Sequence, residues 1–120
     1  MKIYVAHSNY FDFKTELYSP LRNSDLNKNN EIILPHETDE FINSKEIINK
    51  VDVVIAEVSF PATGEGIELG WAESFGKKVI CIYKEGSKIS GSLKVVSETF
   101  LSYSNGDDMI KKLTEALTSF

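Results

Sequence analysis

The sequence predicts a three-layer α/β/α domain on a doubly wound, five-stranded parallel sheet. Three observations carry that prediction. Short apolar runs alternate with segments of helical periodicity along the chain, the pattern of a parallel sheet with crossover helices. The run Val53-Val-Ile-Ala56 is apolar at every position, as a strand covered on both faces must be. Several of these segments end at a glycine or proline, Pro35 and Gly76 among them.

Taken in order, Lys2–Ala6 is the first strand. Phe13, Leu17 and Leu21 recur at helical spacing, so residues 12–23 form a helix that Pro20 interrupts. The polar stretch 23–30 is a loop or a frayed helix end. Glu31–Leu34 is the second strand, stopped by Pro35. Ser44 is placed to cap a helix whose buried side holds Ile47, Ile48 and Val51. Asp52–Ala56 is the third strand. Residues 66–75 form a helix that Gly76 ends. Lys78–Tyr83 is the fourth strand, and residues 84–92 are a loop rich in Gly, Ser and Lys. Thr99–Tyr103 is the fifth strand. Asp107–Leu117 is a closing helix that turns Met109, Ile110, Leu113, Ala116 and Leu117 to the core. The architecture is flavodoxin/Rossmann-like, with ligands expected beyond the carboxyl ends of the strands. That rule selects the loops 7–13, 57–67 and 84–92.

The chain has 120 residues, suited to one domain over residues 1–120. Its net charge is −5 and no basic stripe is visible, which argues against a nucleic-acid partner. The single cysteine, Cys81, sits in an apolar run and builds neither a disulfide framework nor a cysteine metal site. No apolar run approaches membrane-spanning length and no signal-peptide pattern opens the chain, so a cytoplasmic location with no membrane partner is expected.

The chemistry concentrates in one stretch, residues 52–71. Gly64 and Gly66 flank Glu65 in what reads as the turn before a helix, where glycines let backbone approach a ligand. The spacing is neither a dinucleotide fingerprint nor a phosphate-binding loop ending in Gly-Lys-Ser/Thr. Glu68 falls in the first helical turn, where the helix field favours an ionised carboxylate. Such a group either decorates the helix or acts as a nucleophile toward a sugar carbon. His7 and Ser8 follow the first strand and His36 follows the second; this is not a metal signature, and no metal is expected. Tyr4 is core unless its hydroxyl faces the site. Ser87, Lys88, Ser90 and Ser92 offer donors for a phosphate or a sugar hydroxyl. Trp71, Phe75 and Tyr83 suit either core packing or a helix-mediated dimer face.

The segments Asp52-Val-Val-Ile-Ala-Glu-Val58, Pro61, Gly64, Gly66, Glu68-Leu-Gly70 and Gly76-Lys-Lys-Val-Ile-Cys-Ile82 resemble the nucleoside 2-deoxyribosyltransferase family. The likeness is to its 2'-deoxynucleoside 5'-phosphate N-hydrolase branch. It implies N-glycosidic cleavage or transfer on a nucleoside or nucleoside 5'-monophosphate, with no cofactor, in a homodimer or higher homo-oligomer. By that resemblance Glu68 is the nucleophile and Tyr4 lies beside it. Ser8, Gly64, Gly66, Ser87 and Ser92 line the sugar and phosphate site, Ser92 across a dimer interface, and His36 matches a histidine after the second strand. Ser44 stands where the family has an aspartate that protonates the leaving base. Glu46 or Glu40 replaces that aspartate only if the helix is shifted. Tyr10 stands where the N-hydrolase branch has an arginine. His7 replaces a glycine, where it either crowds the sugar or supplies a new acid. A second likeness, of Val5-Ala-His-Ser8 and Asp12 to the first strand and loop of TIR domains, implies NAD cleavage instead. A third reading keeps the nucleotide pocket as a binding module without turnover.

Overall fold

The computed structural model describes residues 1–119. Five strands alternate with helices: β1 (Lys2–His7), α1 (Ser19–Arg22), α2 (Asp25–Asn29), β2 (Glu31–Ile33), α3 (Ser44–Ile48), β3 (Val53–Glu57), α4 (Thr63–Ser74), β4 (Lys78–Lys84), β5 (Thr99–Tyr103) and α5 (Gly106–Leu117). A π-helical turn, Lys14–Tyr18, runs into α1, and a 3₁₀ turn, Gly91–Val95, precedes β5. The strand order is β2-β1-β3-β4-β5 and every pairing is parallel. The order reverses between β1 and β3, which is where such a sheet opens a crevice.

Alternation along the strands divides the core. Ile3, Val5, Val53, Ile55, Ile80 and Ile82 face the layer holding Leu17, Leu21, Met109 and Leu113. Tyr4, Ala6, Val54, Ala56, Val79 and Cys81 face Ile48, Leu69 and Ala72 on the other side. The expected core face of α5 holds for Met109, Leu113 and Leu117, while Ile110 and Ala116 are only partly buried.

Several elements differ from the sequence expectation, each for a local reason. Pro20 has no N–H to give the Glu16 carbonyl, so the helix before it widens: the Ser19 N–H reaches back to the Lys14 carbonyl. Pro20 itself sits in the first turn of α1, where a missing donor is tolerated. Residues 25–29, expected as a loop or a frayed helix end, form a short helix of their own, pinned by buried Leu26. Asn43, not Ser44, caps α3: its side-chain oxygen accepts from the Glu46 N–H at 3.3 Å. The first, third and fourth strands each run one residue further, which brings His7 and Glu57 into register at the sheet edge.

The largest correction concerns α4. It starts at Thr63, so Gly64 and Gly66 lie within its first turns and not in a turn before it. Neither has positive φ; among the described residues that conformation is found at Gly76 (φ 71°), just past the end of α4, and Gly86 (φ 84°).

Candidate active site

The β1/β3 switch point carries a cavity of about 580 Å³ whose walls include His7, Ser8, His36, Ser44, Glu65 and Glu68. Gly64 and Trp71 complete the side formed by α4. His7, at the end of β1, and the residues just after it line one part of the wall, and the first turns of α4 line another.

Glu68 projects from the second turn of α4 and is half-buried. Tyr4, fully buried in β1, donates its hydroxyl to Glu68 Oε2 at 2.5 Å. Burial first, and then the Glu68 charge, push the Tyr4 phenol well above its ordinary range. It therefore stays protonated and remains a donor at any ordinary pH. Burial also raises the Glu68 carboxyl. Hydrogen bonds from Tyr4 and Ser44, and the field of His36, oppose that rise without cancelling it. The expected helix field plays little part, because it fades beyond the first turn and Glu68 is outside it. Ser44, though not a cap, lies beside both Tyr4 and Glu68, the position its sequence count implied.

His7 is 7% exposed and both its ring nitrogens are engaged. Nδ1 lies 2.7 Å from the Ser8 carbonyl, so it carries the proton and donates. Nε2 lies 2.7 Å from the Tyr18 hydroxyl, which in turn accepts from the His36 backbone N–H at 3.0 Å. Tyr18 thus donates to Nε2, and the imidazole is neutral. Burial lowers its pKa in the same direction. The ring packs against Phe13, with centroids 4.5 Å apart, and against His36 at 5.5 Å. With Nδ1 held by the Ser8 carbonyl and Nε2 by the Tyr18 hydroxyl, neither ring nitrogen is left over to meet a leaving base, which weighs against His7 as a new acid. It remains part of the cavity wall.

Ser8 is 2% exposed, and its hydroxyl accepts from the Tyr10 N–H at 3.3 Å. Gly66 and Ser92 line a smaller adjoining cavity of about 200 Å³, with Phe60, Leu69 and Leu93. Ser87 lines neither cavity; its N–H bonds to the Lys84 carbonyl and closes the turn at Gly86. The chain therefore gathers Glu68, Ser8, His7 and Gly64 around one hollow, sets Tyr4 in the core against Glu68, puts Gly66 and Ser92 beside a second hollow, and leaves Ser87 apart. Among the described residues, no group of three or more His, Cys, Asp or Glu is arranged to hold a metal ion. Cys81 is buried, and burial lifts its thiol to about 11, the setting of an inert core cysteine.

Two carboxyl groups escaped the sequence reading. Glu57, at the end of β3, has no exposed surface. Its Oε1 accepts from the Ser59 N–H at 2.7 Å, and Oε2 accepts from the Ser59 hydroxyl at 2.9 Å and from Tyr103. Glu65 is 5% exposed and lines both cavities. Its Oε2 is enclosed without a hydrogen-bond partner. Burial, with the charges of Glu57 and Glu68, raises this carboxyl to about 9. A signal for it was present: Glu65, Leu69 and Ala72 recur at helical spacing and are the buried residues of α4. The flanking glycines drew attention to the backbone instead.

No family model matches the chain. Over 74 residues it is 36% identical to the 5-hydroxymethyl-dUMP N-hydrolase of Esox lucius, covering 60% of this chain and 50% of that protein. The Mus musculus enzyme of the same name is 39% identical over 51 residues, 41% of this chain and 30% of that one. The Homo sapiens enzyme is 43% identical over 42 residues, 35% and 24% of the two chains. The chain is therefore similar to those N-hydrolases over part of its length, at modest identity. The resemblance to the nucleoside 2-deoxyribosyltransferase family is borne out in that form. The matched stretches span half or less of the length of these relatives. Two solved structures share the fold across nearly the whole chain. One is a CMP N-glycosidase from Clostridium botulinum, with TM-score 0.69 and 23% identity over 95% of this chain and 99% of that one. The other is a conserved protein from Enterococcus faecalis, with TM-score 0.67 and 16% identity over 97% and 98%.

Proposed function

We propose that the protein cleaves or transfers the N-glycosidic bond of a nucleoside or nucleoside 5'-monophosphate, with Glu68 as nucleophile. The observation that carries this reading is the Tyr4–Glu68 pair at the cavity over the β1/β3 switch. Tyr4 holds one carboxylate oxygen by a 2.5 Å hydrogen bond and cannot itself be deprotonated at working pH. The other oxygen is then oriented to meet the anomeric carbon as the base departs, where positive charge develops in the sugar. The glycosyl ester is resolved by water or by a second base. The step as written uses side chains alone. The names of the sequence relatives, N-hydrolases of a nucleoside monophosphate, support the same class of bond.

The reading extends to a cytoplasmic homodimer. It is supported by the position of Ser92, which its own chain sets on the far side of Glu65 from Glu68. A second subunit is one way for such a serine to reach the reacting cavity, and sedimentation as a monomer at assay concentration would refute it.

A panel of deoxyribo- and ribonucleosides, their 5'-monophosphates and NAD tests the activity, with free base followed by chromatography. Base release that disappears in Glu68→Ala is the expected result. Ser44, where an acid is expected, favours a second reading: a nucleotide-binding module without turnover. Binding by calorimetry with no base released from any member would select that reading, and nicotinamide release from NAD alone would select the TIR-like one.

A further inference from the structure

We infer that Glu65 is the proton donor to the departing base, in the place that Ser44 cannot fill. The inference rests on the proposed function and adds the group that completes its chemistry. A base leaves a sugar readily only if it is protonated as the bond breaks, and the Ser44 hydroxyl is a poor acid at neutral pH. Glu65 lies one helical turn before Glu68 on α4, so one rigid element presents both carboxyl groups. It borders the same cavity.

The two groups have opposite surroundings. Glu68 receives donors from Tyr4 and Ser44, which suit an anion. Glu65 Oε2 is enclosed with no partner among the described residues. Its titratable neighbours are Glu57 on β3, Glu68 on α4 and Cys81 on β4, all of them acids. A carboxyl without donors, beside two other carboxyls, is held as the neutral acid, and its value of about 9 agrees. Two carboxyl groups whose surroundings separate their protonation states mark out an acid and a nucleophile.

The sequence of events balances. A Glu68 oxygen bonds to the anomeric carbon while the carbon–nitrogen bond breaks and its electron pair goes to the base. The Glu65 proton passes to that base, leaving Glu65 ionised. Water then attacks the anomeric carbon, the bond to Glu68 breaks, and the proton released by water returns to Glu65. The product is the free base and the sugar, with both carboxyls restored.

The test compares the wild type and Glu65→Gln, as full chains, on the best substrate of the panel and on its 7-methylpurine counterpart. The latter base is already cationic and leaves without a proton. For the ordinary base, kcat should fall on the order of 100- to 1000-fold with KM little changed. For the methylated base the loss should be under about threefold, and the basic limb of the pH profile should disappear. Equal loss on both substrates, or a higher KM at unchanged kcat, would overturn the role in favour of a structural or sugar-binding one. Carboxyl-labelled glutamate followed by NMR gives a readout free of turnover. The signal missing from Glu65→Gln should titrate above neutral, and titration in the ordinary carboxylate range would overturn the inference. A wild type that cleaves nothing overturns the proposed function along with this role. A wild type that cleaves while Glu65→Gln keeps its full rate overturns this role alone.

Discussion

Replacing Glu65 with glutamine should change how stability depends on pH, in a direction fixed by the burial of one proton. The native state raises this carboxyl from 4.5 to about 9. A raised carboxyl binds its proton more tightly in the folded chain than in the unfolded one. Its contribution to stability is therefore complete below the ordinary value and is lost as pH climbs toward the folded one. Each pH unit in that window is worth about 1.4 kcal/mol, so the loss between about pH 5 and about pH 7 is roughly 2–3 kcal/mol. That is a large share of what holds together a small domain. Glutamine has nearly the same shape and nothing to titrate. Urea unfolding of both proteins at about pH 5, 7 and 8 measures the difference directly, with constant slopes showing that the unfolded states are comparable. Shifts in Glu68 and His7 are present in both proteins and cancel in the subtraction. The variant should gain on the wild type as pH rises. Parallel curves would mean that Glu65 is ionised in the folded protein near its ordinary value, and the reasoning from its enclosed oxygen would fail.

Three further substitutions probe other parts of the structure. Tyr4→Phe removes the 2.5 Å donor from a half-buried carboxylate and should lower kcat/KM for base release by roughly 10- to 100-fold, with circular dichroism unchanged. Tyr103→Phe strips one of three donors from fully buried Glu57 and should cost about 2–3 kcal/mol in urea unfolding while leaving KM where it was. Gly106→Ala would set a Cβ 3.0 Å from Pro20 Cγ, between α5 and α1, and should cost about 1–3 kcal/mol by the same measurement.

The sheet was legible because its strands are covered on both faces and therefore read as unbroken apolar runs. Helices that bury one stripe were legible for the same reason, α5 above all. Residues 25–29 were not, since Leu26 alone among polar neighbours makes no periodic pattern. The start of α4 was misread because two glycines disfavour a helix by roughly 1 kcal/mol each. Packing of Leu69 and Ala72 against the sheet overrides that preference. In the site, the closeness of Tyr4 and Glu68 came from family likeness, not from spacing, because the two are 64 residues apart. The occupied state of His7 was beyond reach: it depends on Tyr18 and on the backbone of His36, both distant in sequence. Glu57 reads in sequence as the first residue of a loop, and only its pairing with Tyr103, 46 residues away, reveals a buried acceptor.

Three glutamates crowd the carboxyl edge of this sheet, and the donors around each separate their uses. Glu57 accepts from Ser59 twice and from Tyr103, with no exposed surface. A group satisfied so fully is an anchor, tying β3 to β5 across the strand between them. Glu68 accepts from Tyr4 and lies beside Ser44, and Glu68 and Ser44 both line the open cavity. The donors around Glu68 steady its charge. Glu65 has an enclosed oxygen without a partner, and carboxyl groups to either side. On the proposed reading one residue type supplies an anchor, a nucleophile and an acid, because the field of each neighbour bears on the next. The Glu57 and Glu68 charges help to keep the proton on Glu65. That coupling makes a specific demand: Glu57→Gln, which removes one of those charges, should lower the Glu65 titration toward its ordinary value. An unchanged Glu65 signal in that variant would mean that burial and the Glu68 charge hold the proton, and that the anchor has no part in setting the acid.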